Sequence, residues 1–137
     1  MYLLDTSFLI DLAREKEDGR SQATLLLEGL PESPILYVSA ITLGQLAVGE
    51  HLASSQRGRK RNATLREWIT ALCEILSFQP NHAEHFGRIA ALLHRKSRLI
   101  PESDVQLAAT AVAEGLTLIT RDRRHFGRIP GLRVQGY

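Results

Sequence analysis

Residues 103–120, SDVQLAATAVAEGLTLIT, contain the pattern that decides the fold. Ser103 and Gly115 predict the two ends of a helix, because serine accepts backbone N–H groups at a helix start and glycine tolerates the left-handed conformation at its end. The next five residues, LTLIT at 116–120, form a short apolar run that predicts a buried strand. A helix that leads directly into a buried strand is typical of a parallel sheet.

The same alternation of strands and helices runs along the rest of the chain. Strands are predicted at residues 2–4, 35–39, 75–78 and 132–135. Helices are predicted after a cap at Thr6 or Ser7 as far as Ala13, over residues 21–29, from Thr42, over residues 62–76, from Pro80 and over residues 123–127. We therefore expect one α/β domain over residues 1–137, with a parallel sheet covered by helices on both faces.

The composition excludes several classes of protein. With 137 residues, 44% hydrophobic and 23% charged, the chain is neither a disordered tail nor a collagen-like fibre, and its single cysteine, Cys73, excludes a disulfide scaffold. No apolar run approaches the ~18 residues of a membrane span. The apolar start carries Asp5 and Asp11 without a basic segment, which is unlike a signal peptide. We expect a cytoplasmic protein that does not enter a membrane.

The charges are unevenly distributed along the chain. Residues 1–56 contain three Lys and Arg against eight Asp and Glu, whereas residues 57–137 contain fourteen against seven. Such asymmetry favours a face that binds a polyanion, since clustered basic side chains attract phosphate groups. A surface on which the charges interleave after folding explains the same numbers, so the charge pattern alone leaves both interpretations open.

Three aspartates are predicted to meet at one edge of the sheet. Asp5 directly follows the first strand, Asp122 lies two residues past the strand at 116–120, and Asp104 lies in the first turn of the helix that precedes that strand. Ligands of open parallel sheets bind beyond the carboxyl ends of the strands. Oxygen ligands suit Mg²⁺ or Mn²⁺, which would neutralise the cluster. Taken singly, each acid could instead cap a helix, favour its dipole or belong to a polar turn.

Four segments resemble, in order, the signature segments of PIN-domain proteins, and most of all the VapC toxins of toxin–antitoxin pairs. They are LLDTSFLIDL, VSAITLGQLAVGE, SDVQLAATAVAEGLTLITRDRRHF and GLRV, which together span residue 2 to about residue 135. The resemblance implies a three-layer α/β/α sandwich around a mostly parallel sheet. It also implies an endoribonuclease that depends on Mg²⁺ or Mn²⁺, and a homodimer held by a cognate VapB-like antitoxin.

The resemblance assigns site residues one by one. Asp5 matches the first acid of the family, Asp104 the third and Asp122 the fourth, and all three are expected to hold metal. The second acid is a glutamate in the family, but Gln45 stands at that position here. Glu50 lies five residues further on, about 140° around a helix, and is a poor substitute. Gln45 offers an amide oxygen without charge, so we expect a weakened second metal site and lower turnover with the fold retained. The alternative is a catalytically impaired PIN-like domain that binds RNA or protein.

Polar and basic residues beside the acids are candidates for positioning the substrate. Their hydroxyls could orient water or phosphate, or only cap a helix or strand end, and the arginines next to Asp122 could hold RNA phosphates. The candidates are Thr6, Ser7, Thr120, Arg121, Arg123 and Arg124. A second basic run, at residues 57–61, is predicted to be a solvated turn between helices.

Other chemistries have weaker support. His82 and His85 with Glu84 could bind zinc, but their spacing differs from the metalloprotease motif. Cys73 lies among apolar residues and is predicted to be a small core residue. A phosphatase or phosphoacceptor based on Asp5 would have a second aspartate where Ser7 stands, and a dinucleotide site would need a glycine-rich turn after the first strand.

A symmetric homodimer is also predicted from the helices themselves. The helices near residues 21–29 and 43–52 have apolar faces larger than one sheet face requires. We expect these faces to lie in a dimer interface, with a groove for an antitoxin segment that sends an arginine into the acid cluster.

Overall fold

The computed structural model of the chain describes residues 1–19 and 21–137, with the side chains of these ranges apart from residues 15–18. The strands are β1 (Tyr2–Leu4), β2 (Leu36–Ser39), β3 (Cys73–Leu76), β4 (Thr117–Ile119) and β5 (Arg133–Gln135). The helices are α1 (Thr6–Asp18), α2 (Gln22–Glu28), α3 (Ala40–Leu52), α4 (Gln56–Leu72), α5 (Pro80–Arg95), α6 (Glu102–Ala113) and α7 (Arg123–Phe126). The strands form one sheet in the order β3-β2-β1-β4-β5, and every neighbouring pair is parallel.

Both faces of this sheet are covered, because neighbouring residues on a strand point to opposite sides. Leu3 of β1 and Leu118 of β4 pack on one face with apolar side chains of α5 and α6. Leu4 and Ile119 pack on the other face with side chains of α1 and α4, such as Phe8. All five of these side chains are fully buried. The predicted three-layer α/β/α sandwich with a parallel sheet is confirmed.

Serine caps move the starts of α3 and α4 away from their predicted positions. The Ser39 hydroxyl accepts from the backbone N–H of Thr42 at 3.0 Å, so α3 begins at Ala40, and the prediction of a start at Thr42 is wrong. The Ser55 hydroxyl accepts from the N–H of Gly58, and α4 begins at Gln56 rather than at residue 62. The basic run at residues 57–61 therefore lies on a helix and is not a turn between helices.

Two further helix starts also differ from the prediction. α6 begins at Glu102 after Pro101, so Ser103 lies inside the helix instead of capping it. α1 begins at Thr6, so neither Thr6 nor Ser7 precedes the helix, and Asp5 takes that place. These shifts leave Asp104 in the first turn of α6, as predicted.

His82 is a structural residue at the start of α5. The backbone N–H of Gln79 donates to Nδ1 at 3.0 Å, which leaves the ring proton on Nε2. Nε2 then donates to Glu114, just after α6, at 2.6 Å, and the ring is 1% exposed. Because both ring nitrogens are already used, His82 is a poor zinc ligand.

Cys73 is the first residue of β3 and is half-buried. Burial raises the pKa of its thiol to about 11, which keeps the sulfur protonated at neutral pH. It packs against the core beneath α1 and α4, in agreement with the predicted core role and not with a nucleophile. Within the described residues, no helix combines the length and the apolar character needed to cross a bilayer.

Candidate active site

The sheet topology brings the first and last predicted acids together. β1 and β4 are neighbours, so Asp5 and Thr120 follow the carboxyl ends of adjacent parallel strands. The backbone N–H of Asp5 donates to the carbonyl of Ile119 at 3.0 Å, which continues the ladder to the edge of the sheet. Asp5 is only 7% exposed, so its carboxylate forms the buried floor of the site.

Hydroxyl groups hold the Asp5 carboxylate in place. Ser7 Oγ and Thr120 Oγ1 both donate to Oδ2, at 2.6 and 2.7 Å. Thr120 Oγ1 also accepts from the backbone N–H of Asp122 at 2.9 Å. One buried hydroxyl thus links Asp5 to Asp122, which places Ser7 and Thr120 beside the acids as expected from the sequence.

The other two acids meet at a histidine. His125 Nδ1 lies 3.2 Å from Asp104 Oδ2 and 2.8 Å from Asp122 Oδ2. Asp122 also caps α7, since its Oδ1 accepts from the backbone N–H of His125 at 2.9 Å. The local helix start therefore fixes the distance between Asp122 and His125.

Asp104 has the electrostatic environment of a shared acidic site. Burial raises the pKa of its carboxyl, and the negative charges of Asp5 and Asp122 raise it further. The hydrogen bond and positive charge of His125 oppose this rise. The charges of Asp5 and Asp122 thus disfavour the ionisation of Asp104, and a bound cation would relieve this repulsion.

Gln45 lies beside this cluster on the exposed surface of α3. Its Oε1 accepts a hydrogen bond from the Thr6 hydroxyl, and Thr6 directly follows Asp5. Glu50 faces elsewhere and forms an ion pair with Arg66 of α4, in agreement with its expected exclusion from the site. The Glu50 carboxylate is therefore paired with α4 and does not join Gln45 beside the acids.

The three arginines next to Asp122 have different surroundings. Arg121 Nη1 donates to both oxygens of Asp11, at 3.0 and 2.9 Å, and Tyr137 donates to the same carboxylate at 2.8 Å. Burial and the bond to Asp11 raise the pKa of Tyr137, so its hydroxyl keeps its proton. The Arg123 side chain lies against Gly136, and Arg124 is exposed on α7.

Comparison with known proteins shows the family of the chain. The profile of the PIN domain matches residues 2–132. The chain belongs to the PIN-domain family.

Relatives of this PIN domain cover almost its whole length. Ribonuclease VapC2 of Haemophilus influenzae is 33% identical over 136 residues, which are 99% of this chain and 97% of the relative. The tRNA(fMet)-specific endonuclease VapC of Salmonella typhimurium has the same identity and coverage. In the solved structure of DNA-bound VapBC from Salmonella typhimurium, one chain is 29% identical and superposes with a TM-score of 0.82, covering 98% of this chain and 96% of that one.

The donor atoms of this PIN domain fit a divalent cation. Carboxylate oxygens of Asp104 and Asp122 and a ring nitrogen of His125 all lie within 4.8 Å of one another. Asp5 is near enough for its charge to act on Asp104. Oxygen ligands with one imidazole are a common donor set for divalent first-row metals.

Sequence reasoning missed three residues of this region. His125 follows Asp122 by three residues on a short helix, and that spacing is the signal that could have found it. Asp11 contacts Arg121 and Tyr137, which lie 110 and 126 residues away from it in the sequence. No local pattern predicts contacts of that kind.

Proposed function

We propose that this PIN domain is a divalent-metal-dependent endoribonuclease and the toxin of a type II toxin–antitoxin pair. The observation that carries the proposal is the meeting of Asp5, Asp104 and Asp122, which come from three separate elements, at the carboxyl edge of the sheet. The ribonuclease names of its relatives support this reaction. RNA is then the substrate, and its phosphodiester is the bond that is hydrolysed.

Asp5, Asp104 and Asp122 would hold Mg²⁺ or Mn²⁺. When bound, such a cation lowers the pKa of a water molecule and polarises a phosphoryl oxygen. The chain contributes orientation: the Ser7 and Thr120 hydroxyls fix the Asp5 carboxylate before substrate arrives. Arg124 is exposed two residues after Asp122, and it would bind an RNA phosphate.

Gln45 lowers the charge of the site without blocking it. Its amide oxygen already accepts from Thr6 and keeps the position that the family fills with glutamate. The site therefore has three carboxylates, and we expect slow but measurable cleavage. The competing proposal is a domain that binds RNA or protein without cleaving, and it would show RNA binding with no metal-dependent product.

Metal titration combined with cleavage tests the proposal. Mn²⁺ at about 100 times its dissociation constant adds about 2.7 kcal/mol of stability, so melting in Mn²⁺ and in EDTA should differ by several degrees. Single-turnover cleavage of a structured RNA should occur in Mn²⁺ and stop in EDTA. The Glu84→Gln variant is the control, because Glu84 is an exposed carboxylate on α5. Identical melting curves and no cleavage would refute the metal-dependent nuclease.

A VapB-like antitoxin is the proposed protein partner. A groove of about 350 Å³ between α1 and α4 has an apolar floor that includes Leu12, Leu65 and Trp68. Lys60 and Arg61 also line it, so the groove fits a segment with apolar and acidic side chains. Trp68 is the only tryptophan of the chain. Its fluorescence should change on titration with the cognate antitoxin, and an unchanged spectrum contradicts docking in this groove.

A homodimer completes the proposed assembly. Leu25 of α2 and Val48 and Leu52 of α3 are exposed by 46, 58 and 78%, although they are apolar. These residues lie in the two segments whose apolar faces predict self-association. Light scattering at micromolar concentration should give twice the 15.3 kDa of one chain. A monomer under these conditions contradicts the dimer.

A further inference from the structure

One ring nitrogen in the acid cluster faces two carboxylates at once. His125 Nδ1 lies 2.8 Å from Asp122 Oδ2 and 3.2 Å from Asp104 Oδ2. We infer that His125 is itself a metal ligand and that its nitrogen makes the site select first-row transition ions such as Mn²⁺ over Mg²⁺. The inference rests on the proposed metal-dependent function and assigns the ligand that completes it.

The spacing of the donor atoms supports ligation. Ligands about 2.1 Å from a six-coordinate ion and at right angles to each other are separated by about 3.0 Å. The two distances from Nδ1 lie on either side of that value. His125 and Asp122 keep their relation because the carboxylate that faces the ring also caps α7.

The two close contacts to Nδ1 match a shared cation better than a single shared proton. A neutral ring with an unprotonated Nδ1 would point its lone pair at two anionic oxygens, and a ring with a proton there has one hydrogen for two acceptors. A cation bound by Asp104, Asp122 and His125 would instead accept a lone pair from each of the three ligand atoms. The ring is also one-third exposed, so an ion from solution can reach it.

The chemistry of the donor set gives the selectivity. Mg²⁺ prefers oxygen ligands and dehydrates reluctantly, whereas imidazole nitrogen suits transition metals. Affinity for a given nitrogen and oxygen site rises from Mn²⁺ towards Cu²⁺. Because Gln45 brings no charge, the nitrogen of His125 contributes the binding that the family's second acid would otherwise supply by charge.

Mn²⁺ alone is the probe for this site. Electron spin-echo envelope modulation detects a nitrogen bonded to Mn²⁺, and the native protein should show it. His125→Asn should remove the nitrogen modulation and weaken Mn²⁺ binding at least about tenfold, since even groups that only support a ligand are worth about 10–100-fold. The preference for Mn²⁺ over Mg²⁺ should fall by a similar factor. His94→Asn is the matched control, because His94 is an exposed histidine in the last turn of α5.

Each result has a distinct meaning. Loss of the modulation in His125→Asn, with its retention in His94→Asn, supports the assignment. Mn²⁺ binding without nitrogen modulation, or modulation that persists in His125→Asn, overturns the assignment and leaves the acid site and the proposed nuclease intact. No Mn²⁺ binding by the native protein overturns the proposed metal dependence as well. His125→Gln, checked by circular dichroism, repeats the test if the asparagine variant does not fold.

Discussion

Among the residues that the structure describes, two histidines contact carboxylates, and their surroundings are opposite. His82 has one partner for each ring nitrogen, the Gln79 N–H at Nδ1 and Glu114 at Nε2, and it is buried. His125 places a single nitrogen between Asp104 and Asp122 on a partly exposed ring. A histidine whose nitrogens are each used once stabilises the fold. A histidine whose nitrogen has two anionic neighbours is available for a cation.

The acidic partners differ in the same way. The hydrogen bond from His82 lowers the pKa of Glu114, so this pair favours the charged carboxylate. Burial and neighbouring carboxylates raise the pKa of Asp104 in spite of its contact with His125. In the pair of His82 and Glu114, one histidine meets one carboxylate. Around His125, by contrast, one histidine meets two carboxylates, and the charge of Asp5 acts on Asp104 as well.

The largest expected effect is at the buried floor of the acid cluster. Asp5→Asn removes the charge that Ser7 and Thr120 hold in place, and we expect RNA cleavage to fall at least about a hundredfold, which is about 2.7 kcal/mol of barrier. Its far-ultraviolet spectrum should match the native one, because the amide still fits between the two hydroxyls. Single-turnover cleavage measures the loss, with Glu84→Gln as the control. A variant that keeps more than half of the native rate would exclude Asp5 from the reaction.

The second effect tests the contact between His82 and Glu114. His82→Asn removes a buried ring and leaves the Gln79 N–H and the Glu114 carboxylate without their partner, and we expect a loss of about 2 kcal/mol in the free energy of unfolding. Mn²⁺ affinity should stay unchanged. Urea denaturation and metal titration of the same preparation measure both quantities. If the metal affinity fell while stability did not, the assignment of roles to the two histidines would be reversed.

The third effect restores the missing charge next to the cluster. Gln45→Glu keeps the oxygen that accepts from Thr6 and adds a fourth carboxylate. We expect tighter Mn²⁺ binding and about tenfold faster cleavage, equivalent to about 1.4 kcal/mol. Without metal the variant should melt slightly earlier, because the added charge repels the other acids. Equal metal affinity and equal cleavage in the two proteins would show that residue 45 lies outside the active site.

The smallest effect is on the pH dependence of stability. The pKa of Glu114 is lower in the folded state than its ordinary value of 4.5, so its stabilising contribution is present above that value and is lost as pH falls through the folded pKa. Glu114→Gln should flatten this loss in acid, modestly, because the carboxylate is 38% exposed.

The acid cluster should respond in the opposite direction. The raised pKa of Asp104 destabilises the metal-free protein above the folded pKa, and protonation relieves this as pH falls. Asp104→Asn should therefore raise the metal-free melting temperature at pH 7. Melting temperatures measured from pH 3 to pH 7 test both expectations. If Glu114→Gln and Asp104→Asn changed the melting temperature in the same way across this range, the proposed difference between the Glu114 and Asp104 sites would be wrong.

The arrangement of one sheet between two layers of helices could be predicted, because the pattern of apolar residues along the sequence determines it. The runs at residues 2–4 and 116–120 alternate between the two faces, and they became neighbouring strands. The start of α4 could not be found in that way, because its first turns are polar and basic. Ser55 was the signal there, since a hydroxyl that accepts a backbone N–H marks a helix start without any apolar period.

The part of the candidate site that depends on the order of the strands could be predicted from the sequence. The meeting of Asp5, Asp104 and Asp122 follows from their places at strand and helix ends. Their detailed partners do not, because the contacts of Arg121 and Tyr137 with Asp11 depend on how distant segments pack. The roles of the acids in metal binding and catalysis remain predictions for the experiments above.

The contact between Arg121 and Asp11 has a consequence for the ionic strength at which RNA binds. An arginine that neutralises an RNA phosphate releases counterions. For single strands, each such contact lowers the logarithm of the binding constant by about 0.7 per tenfold increase in salt concentration. Both oxygens of Asp11 already lie on Nη1 of Arg121. An RNA phosphate has to share that guanidinium, so the contact displaces less than one full counterion. If Arg121, Arg123 and Arg124 all contact RNA phosphates, the binding constant should therefore depend on salt concentration less steeply than three full arginine–phosphate contacts would require.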